Sequence, residues 1–164
     1  MSFMGRPGSN PGPGAKIGGY MDIKKIRFLS HTADVLIEVK GNTLEEVFEN
    51  AGLAIFELMT DTSKVERKVL RDINIDGIDL LSLLYNWIDS LIYFFDAEAL
   101  LFSSFKVHKI WQENSKFKLK ASVWGEQYNS EKHESRTAVK AATYHLMKIK
   151  REDHGYVARF VVDI

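Results

Sequence analysis

The sequence contains no cysteine. Disulfides, thiolate metal sites and a cysteine nucleophile are therefore excluded. A chain with no thiols suits a reducing compartment, and a cytoplasmic protein is expected. No long hydrophobic run is present either. The longest lies near Leu91-Ile92-Tyr93-Phe94-Phe95, far short of the about 20 residues a bilayer requires. The N-terminus lacks the apolar segment of a signal peptide. Proline is missing from the body of the chain. All three prolines and six of the eleven glycines fall in residues 1–20, a stretch that cannot bury enough apolar surface to order itself. Residues 1–20 read as a disordered, expression-derived leader, with a native disordered tail as the alternative. Residues 21–164 form one domain, an ordinary size for a single core. No excess of charge is found: the chain carries 22 basic and 22 acidic residues. Without Arg6 and Lys16 of the leader the body holds 20 basic residues against 22 acidic ones. A near-neutral body with no basic stripe argues against strong direct nucleic-acid binding.

The remaining body is patterned. Ile26–Leu29 and Val35–Val39 read as short strands flanking His31-Thr32-Ala33-Asp34, with Val35, Ile37 and Val39 on one face. Thr43 and Glu46 have capping-box spacing. After them Leu44, Val47, Phe48, Ala51, Ile55, Leu58 and Met59 repeat as one buried helical stripe. Val69, Ile73 and Ile75 suggest a strand ending at Gly77. Asp79 is placed to cap a second helix reaching about Phe95. That helix is apolar around most of its circumference, which fits a core wedged between a sheet and the first helix, or a partner surface. Phe105–Trp111 and Phe117–Val123 alternate, Gly125–His133 reads as a loop, and Thr137–Ile149 reads as one long strand. Asp153-His154-Gly155 forms a tight turn before a last strand through Tyr156, Ala158, Phe160 and Val162. The expected architecture is α+β and two-layered, with two helices on one face of a largely antiparallel sheet. Trp111 and Trp124 lie in predicted strands and are expected to pack rather than stack on bases.

The chemistry-bearing residues are few. Gly-x-Ser-x-Gly, Gly-x-x-x-x-Gly-Lys and Gly-x-Gly-x-x-Gly are all missing. His31, His108, His133, His145 and His154 show no zinc-ligand spacing. The carboxylates offer more. Asp34 begins a strand and Asp163 ends the last one, so antiparallel neighbours would bring the two together. The terminal carboxylate of Ile164 follows one residue later. Two carboxylates about 4 Å apart repel by roughly 4 kcal/mol at an effective dielectric of about 20. A shared proton or a bound cation relieves that. An all-oxygen donor set favours a hard ion, Ca²⁺ or Mg²⁺. His31 adjoins Asp34 and is placed to orient it or act as a base.

Several blocks carry a family resemblance. They are His31-Thr32-Ala33-Asp34, Gly41 with Thr43 to Ala51, and Met59-Thr60-Asp61. Glu66, Trp124-Gly125-Glu126, Val139 to His145 and Val162-Asp163-Ile164 complete the set. Together, from Ile26 to Ile164, the chain resembles the archease family. The resemblance implies a non-enzymatic helper of the tRNA-splicing RNA ligase, the GTP- and metal-dependent enzyme that joins a 3′-phosphate or cyclic-phosphate RNA end to a 5′-hydroxyl end. It implies that the helper promotes guanylylation of the ligase histidine and restores multiple turnover. It also implies a divalent-cation (calcium) site at Asp34, Asp163 and Ile164. Two rival functions stand beside it: a general chaperone-like binding module using the apolar second helix, and a small metal-dependent phosphoesterase using Asp34, Asp163 and His31. The sequence assigns no oligomeric state, no docking surface and no single role to His31, Lys140 or Tyr144.

Overall fold

The computed structural model describes residues 16–17, 21–22, 25–30 and 33–164. Most of the expected leader lies outside them, as do His31 and Thr32. A short ladder joins β1 (Lys16–Ile17) to β2 (Met21–Asp22). Then follow β3 (Ile26–Ser30), β4 (Asp34–Gly41), α1 (Leu44–Met59), β5 (Val69–Gly77) and α2 (Leu80–Glu98). The chain continues as β6 (Leu100–Glu113), β7 (Lys116–Gln127), β8 (Ala141–Ala142), β9 (Lys148–Glu152) and β10 (Gly155–Asp163). Two helices pack on antiparallel sheet, giving the two-layer α+β class expected. The strands are not one continuous sheet, however. One sheet runs β3-β4-β10, with β8 and β9 sharing the far edge of β10, and a separate three-stranded sheet runs β5-β7-β6.

Alternation decides which faces meet. Val35, Ile37 and Val39 of β4 and Ala158, Phe160 and Val162 of β10 are buried in the core, and α1 packs against both strands. The odd residues of β10 and the even residues of β4 therefore face away from the helices. Helix α1 begins where expected: Thr43 Oγ1 accepts from the Glu46 N–H at 3.1 Å. The reciprocal half of the predicted capping box does not form, because the Glu46 carboxylate pairs with Lys25 instead. The complete box sits on α2. There Asp79 accepts from the Ser82 N–H at 2.7 Å, and Ser82 Oγ accepts from the Asp79 N–H at 3.1 Å.

The helices exchange their expected roles. Helix α1, read as a single-stripe helix, is buried almost all round from Val47 to Met59 because it touches β4, β6, β10 and α2. Helix α2 keeps Asp89, Tyr93, Asp96 and Ala97 exposed. Its Leu83, Leu84, Trp87, Ile88, Leu91 and Ile92 are core. Trp87 also donates its indole N–H to the Phe48 carbonyl at 2.8 Å. Each fully buried side chain of this size contributes about 1.5–3 kcal/mol, so α2 is chiefly a packing element.

The long strand predicted over Thr137–Ile149 does not form. The N–H groups of Arg136 and Thr137 instead donate to the Met59 and Leu58 carbonyls, each at 3.0 Å. These are end carbonyls of α1 that have no partner within the helix. The Arg136 guanidinium adds bonds to the Glu57 carbonyl and carboxylate. Ala141–Ala142 joins β10 as a two-residue strand, Leu146, with φ 57°, turns the chain, and Lys148 and Ile149 pair with β10 again as the start of β9. His145 lies exposed in that turn rather than in a strand. β7 also runs three residues into the predicted loop, to Gln127.

Candidate cation site at the paired strand ends

Strand β10 lies antiparallel to β4 with Asp163 directly opposite Asp34. Directly opposed residues share a face, and their Cβ atoms lie about 4.5–5.5 Å apart. Both aspartates therefore project from the side of the sheet away from the helices. The pairing continues past them: the Ile164 N–H donates to the Ala33 carbonyl at 3.3 Å. On the other side the Lys140 N–H donates to the Asp163 carbonyl at 2.8 Å. The Asp163 backbone is thus fixed from both neighbours while its side chain is exposed. Asp34 is half-buried, and the Ile164 side chain packs against the core. Among the described residues neither aspartate carboxylate has a hydrogen-bond or ion-pair partner. Like charges directly opposite each other destabilise the pair, taken as comparable in size to the about 0.2–1 kcal/mol that an opposite-charge pair contributes. That is less than the roughly 4 kcal/mol for two carboxylates about 4 Å apart at an effective dielectric of about 20, because solvent reaches Asp163.

The donor set is two carboxylates plus main-chain oxygen at Ile164. Among the described residues no three His, Cys, Asp or Glu side chains cluster into a metal site. His31, the expected neighbour of Asp34, lies outside those residues. The chemistry of the set fits a hard, oxygen-seeking cation with water completing its shell.

The other motif residues form a second, structural network. Glu126 at the end of β7 is buried and accepts from the Glu66 N–H at 2.7 Å, from Lys132 at 2.7 Å and from His133 Nε2 at 3.1 Å. The Asn129 N–H donates to His133 Nδ1 at 2.9 Å, so Nε2 carries the ring proton. Lys132 also pairs with Glu66. Burial raises the Glu126 pKa, but these hydrogen bonds outweigh it and hold the carboxyl at about 2. A folded-state pKa below the unfolded value contributes stability above about pH 4.5, lost as pH falls toward 2. After allowance for screening at Lys132, the contribution is about 2 kcal/mol. Glu126→Gln is expected to lower stability at pH 7 by about that amount. It should also flatten the acid limb of a urea-denaturation series between pH 4.5 and 2.5; an unchanged limb would contradict the assignment.

Tyr144, open in role from the sequence, stacks on Tyr85 of α2 with ring centroids 4.4 Å apart and planes 6° from parallel. It packs on one face and is exposed on the other. The sequence model of the archease protein family (MTH1598/TM1083) matches residues 27–164. The chain belongs to the archease family. It is 51% identical to an archease of Sulfurisphaera tokodaii over 142 residues, 87% of this chain and all of that one. It is 47% identical to an archease of Pyrococcus furiosus, covering 82% of this chain and 94% of that one. The solution structure of Methanobacterium thermoautotrophicum protein 1598 superposes with a TM-score of 0.77 at 45% identity, over 86% of this chain and 99% of that one. An archease crystal structure from Thermotoga maritima, at 20% identity and a TM-score of 0.53, shares the fold. Archeases are non-catalytic protein factors, and this chain is not an enzyme. Its family gives it a general role as an activator of an RNA ligase. Among the described residues no helix is long and apolar enough to cross a membrane.

Proposed function

We propose that this archease activates the GTP-dependent tRNA-splicing RNA ligase in the cytoplasm, and that it does so through a divalent cation held at Asp34, Asp163 and the carboxylate of Ile164. The observation that carries the reading is the register of β10 on β4, which opposes the two aspartates, neither carboxylate having a partner among the described residues. Ca²⁺ or Mg²⁺ suits the all-oxygen set. When bound, the ion supplies positive charge and water-exchange sites for nucleotide phosphate oxygens. The chain's own part is positional. The Ala33 carbonyl and the Lys140 N–H pin the two residues at the end of β10, so the acidic corner is presented as a rigid edge. That edge offers oxygen ligands to the metal-containing centre of the ligase and favours its nucleotide-accepting state.

The test is multiple-turnover ligation by the RNA ligase at limiting enzyme, with GTP and Mg²⁺, with and without this chain. Turnover is expected to rise several-fold when the chain is added; no change at tenfold molar excess would refute the reading. A six-residue extension after Ile164 converts its carboxylate to an amide. It is expected to weaken stimulation and calcium affinity together, each by about tenfold, while a similar N-terminal addition leaves both unchanged. Full stimulation by the extended chain would remove Ile164 from the site.

A further inference from the structure

The side of the β3-β4-β10-β9 sheet that faces away from the helices is polarised along its strands. Asp34 and Asp163 occupy one end. Leu29, Leu36 and Val161 form the next row. Beyond them a row of charge crosses four strands in register: Arg27 opposite Glu38, Glu38 opposite Arg159, and Arg159 opposite Lys148. Two residues further lie Lys40 and Lys150, on either side of Val157. At about 3.4 Å per residue the two basic rows are about 7 Å apart, and the first lies about 13 Å from the aspartates.

These side chains line a cleft of about 270 Å³ that holds five cations against the carboxylates of Glu38 and Glu152. Glu38 is buried and already spent: Arg159 donates to it at 2.7 Å and Arg27 at 3.1 Å. Its charge therefore fixes the two guanidinium groups without neutralising the cleft. Among the described residues Lys40, Lys148 and Lys150 have no carboxylate within ion-pair distance. Five cations of a near-neutral chain thus meet on one patch, drawn from strands far apart in sequence.

We infer that this cleft binds the phosphodiester backbone of a single nucleic-acid strand, without regard to sequence. The exposed large apolar side chains Leu70, Ile78, Tyr93, Tyr128, Tyr144 and Leu146 all lie outside the lining. A protein partner would look for such an anchor. Among the described residues no aromatic ring lines the cleft to stack a base, and none of its lining comes from a helix N-terminus or a glycine-rich loop that could cradle a mononucleotide. What the cleft offers is repeated positive charge across a flat surface, which matches repeated phosphates. Binding of this kind is weak, in accord with the composition, which argues only against a strong interaction.

The test needs neither ligase nor divalent ion, so its outcome is separate from that of the ligase reading. Fluorescence anisotropy of a labelled 20-nucleotide mixed-sequence RNA, in EDTA at 25 mM salt, is expected to give a Kd of about 10⁻⁵ M. Three neutralised phosphates correspond to a log–log salt slope of about −2. DNA of the same sequence should bind within about threefold, and inorganic triphosphate should displace both. Lys148→Glu with Lys150→Glu, at two exposed positions, should weaken binding at least tenfold. Lys64→Glu with Lys120→Glu, an equal charge change elsewhere, should alter it less than threefold, with both proteins keeping the wild-type circular dichroism. No binding up to about 300 µM, or equal losses in the two double variants, would overturn the assignment.

Discussion

Asp163→Ala protein is expected to fold, to be at least as stable as the parent in EDTA, and to lose at least tenfold of its stimulation of the RNA ligase. The combination follows from the geometry. Asp163 is exposed, its side chain has no partner among the described residues, and its backbone is held independently through the Lys140 N–H and the β4 ladder. Among the described residues, removing its side chain deletes no fold-supporting contact. It also relieves repulsion with Asp34 directly opposite, taken as comparable to the about 0.2–1 kcal/mol of an opposite-charge pair. A residue kept for stability would behave in the opposite way. Thermal denaturation in EDTA and in 5 mM CaCl₂ separates the cases. The parent is expected to gain stability on adding calcium, by preferential binding to the folded state, and the variant is expected not to. Unimpaired stimulation by folded Asp163→Ala protein would remove the acidic corner from the mechanism.

Gly125→Ala is expected to be the most damaging single methyl group in the molecule. Gly125 lies in β7 opposite Phe102 of β6. A Cβ built there would stand 1.7 Å from the Leu101 carbonyl oxygen and 2.7 Å from the Phe102 Cα. Both obstacles are backbone, so no side-chain rotation relieves the clash. The strands must part, and the neighbouring bonds go with them. The Gly125 carbonyl accepts from the Lys68 N–H at 2.8 Å, and Glu126 next to it anchors the Glu66, Lys132 and His133 network. A loss of at least about 3–4 kcal/mol is expected, seen as a fall in the urea midpoint or as insoluble protein. A loss below about 1 kcal/mol would mean that β6 and β7 separate there easily.

Local patterns were the legible part of this fold. Period-two alternation found β4, β5 and β10, and Thr43 and Asp79 marked both helix starts, because each depends on neighbours in sequence. The Asp34–Asp163 pairing was also within reach, since two strand ends of opposite direction leave little choice of register once they are adjacent. Burial was less legible. A stripe of apolar residues on α1 does not disclose that β6 covers its other side, where Gly52 lies within 3 Å of the Phe105 ring if given a Cβ. The strand-like alternation of Thr137–Ile149 failed for a long-range reason: the chain there serves the end of α1, about 80 residues earlier. The basic cleft was hidden for the same kind of reason. Arg27, Lys40, Lys148, Lys150 and Arg159 are scattered in sequence, and only the four-strand register assembles them.

The most direct test of the acidic corner is calorimetric titration of Ca²⁺ into metal-free protein, run in parallel on the parent chain, Asp34→Asn and Asp163→Asn. One ion per parent chain, and no measurable heat of binding in either variant, is the expected result. Equal stoichiometry and affinity in all three proteins would show that the opposed carboxylates do not hold the ion.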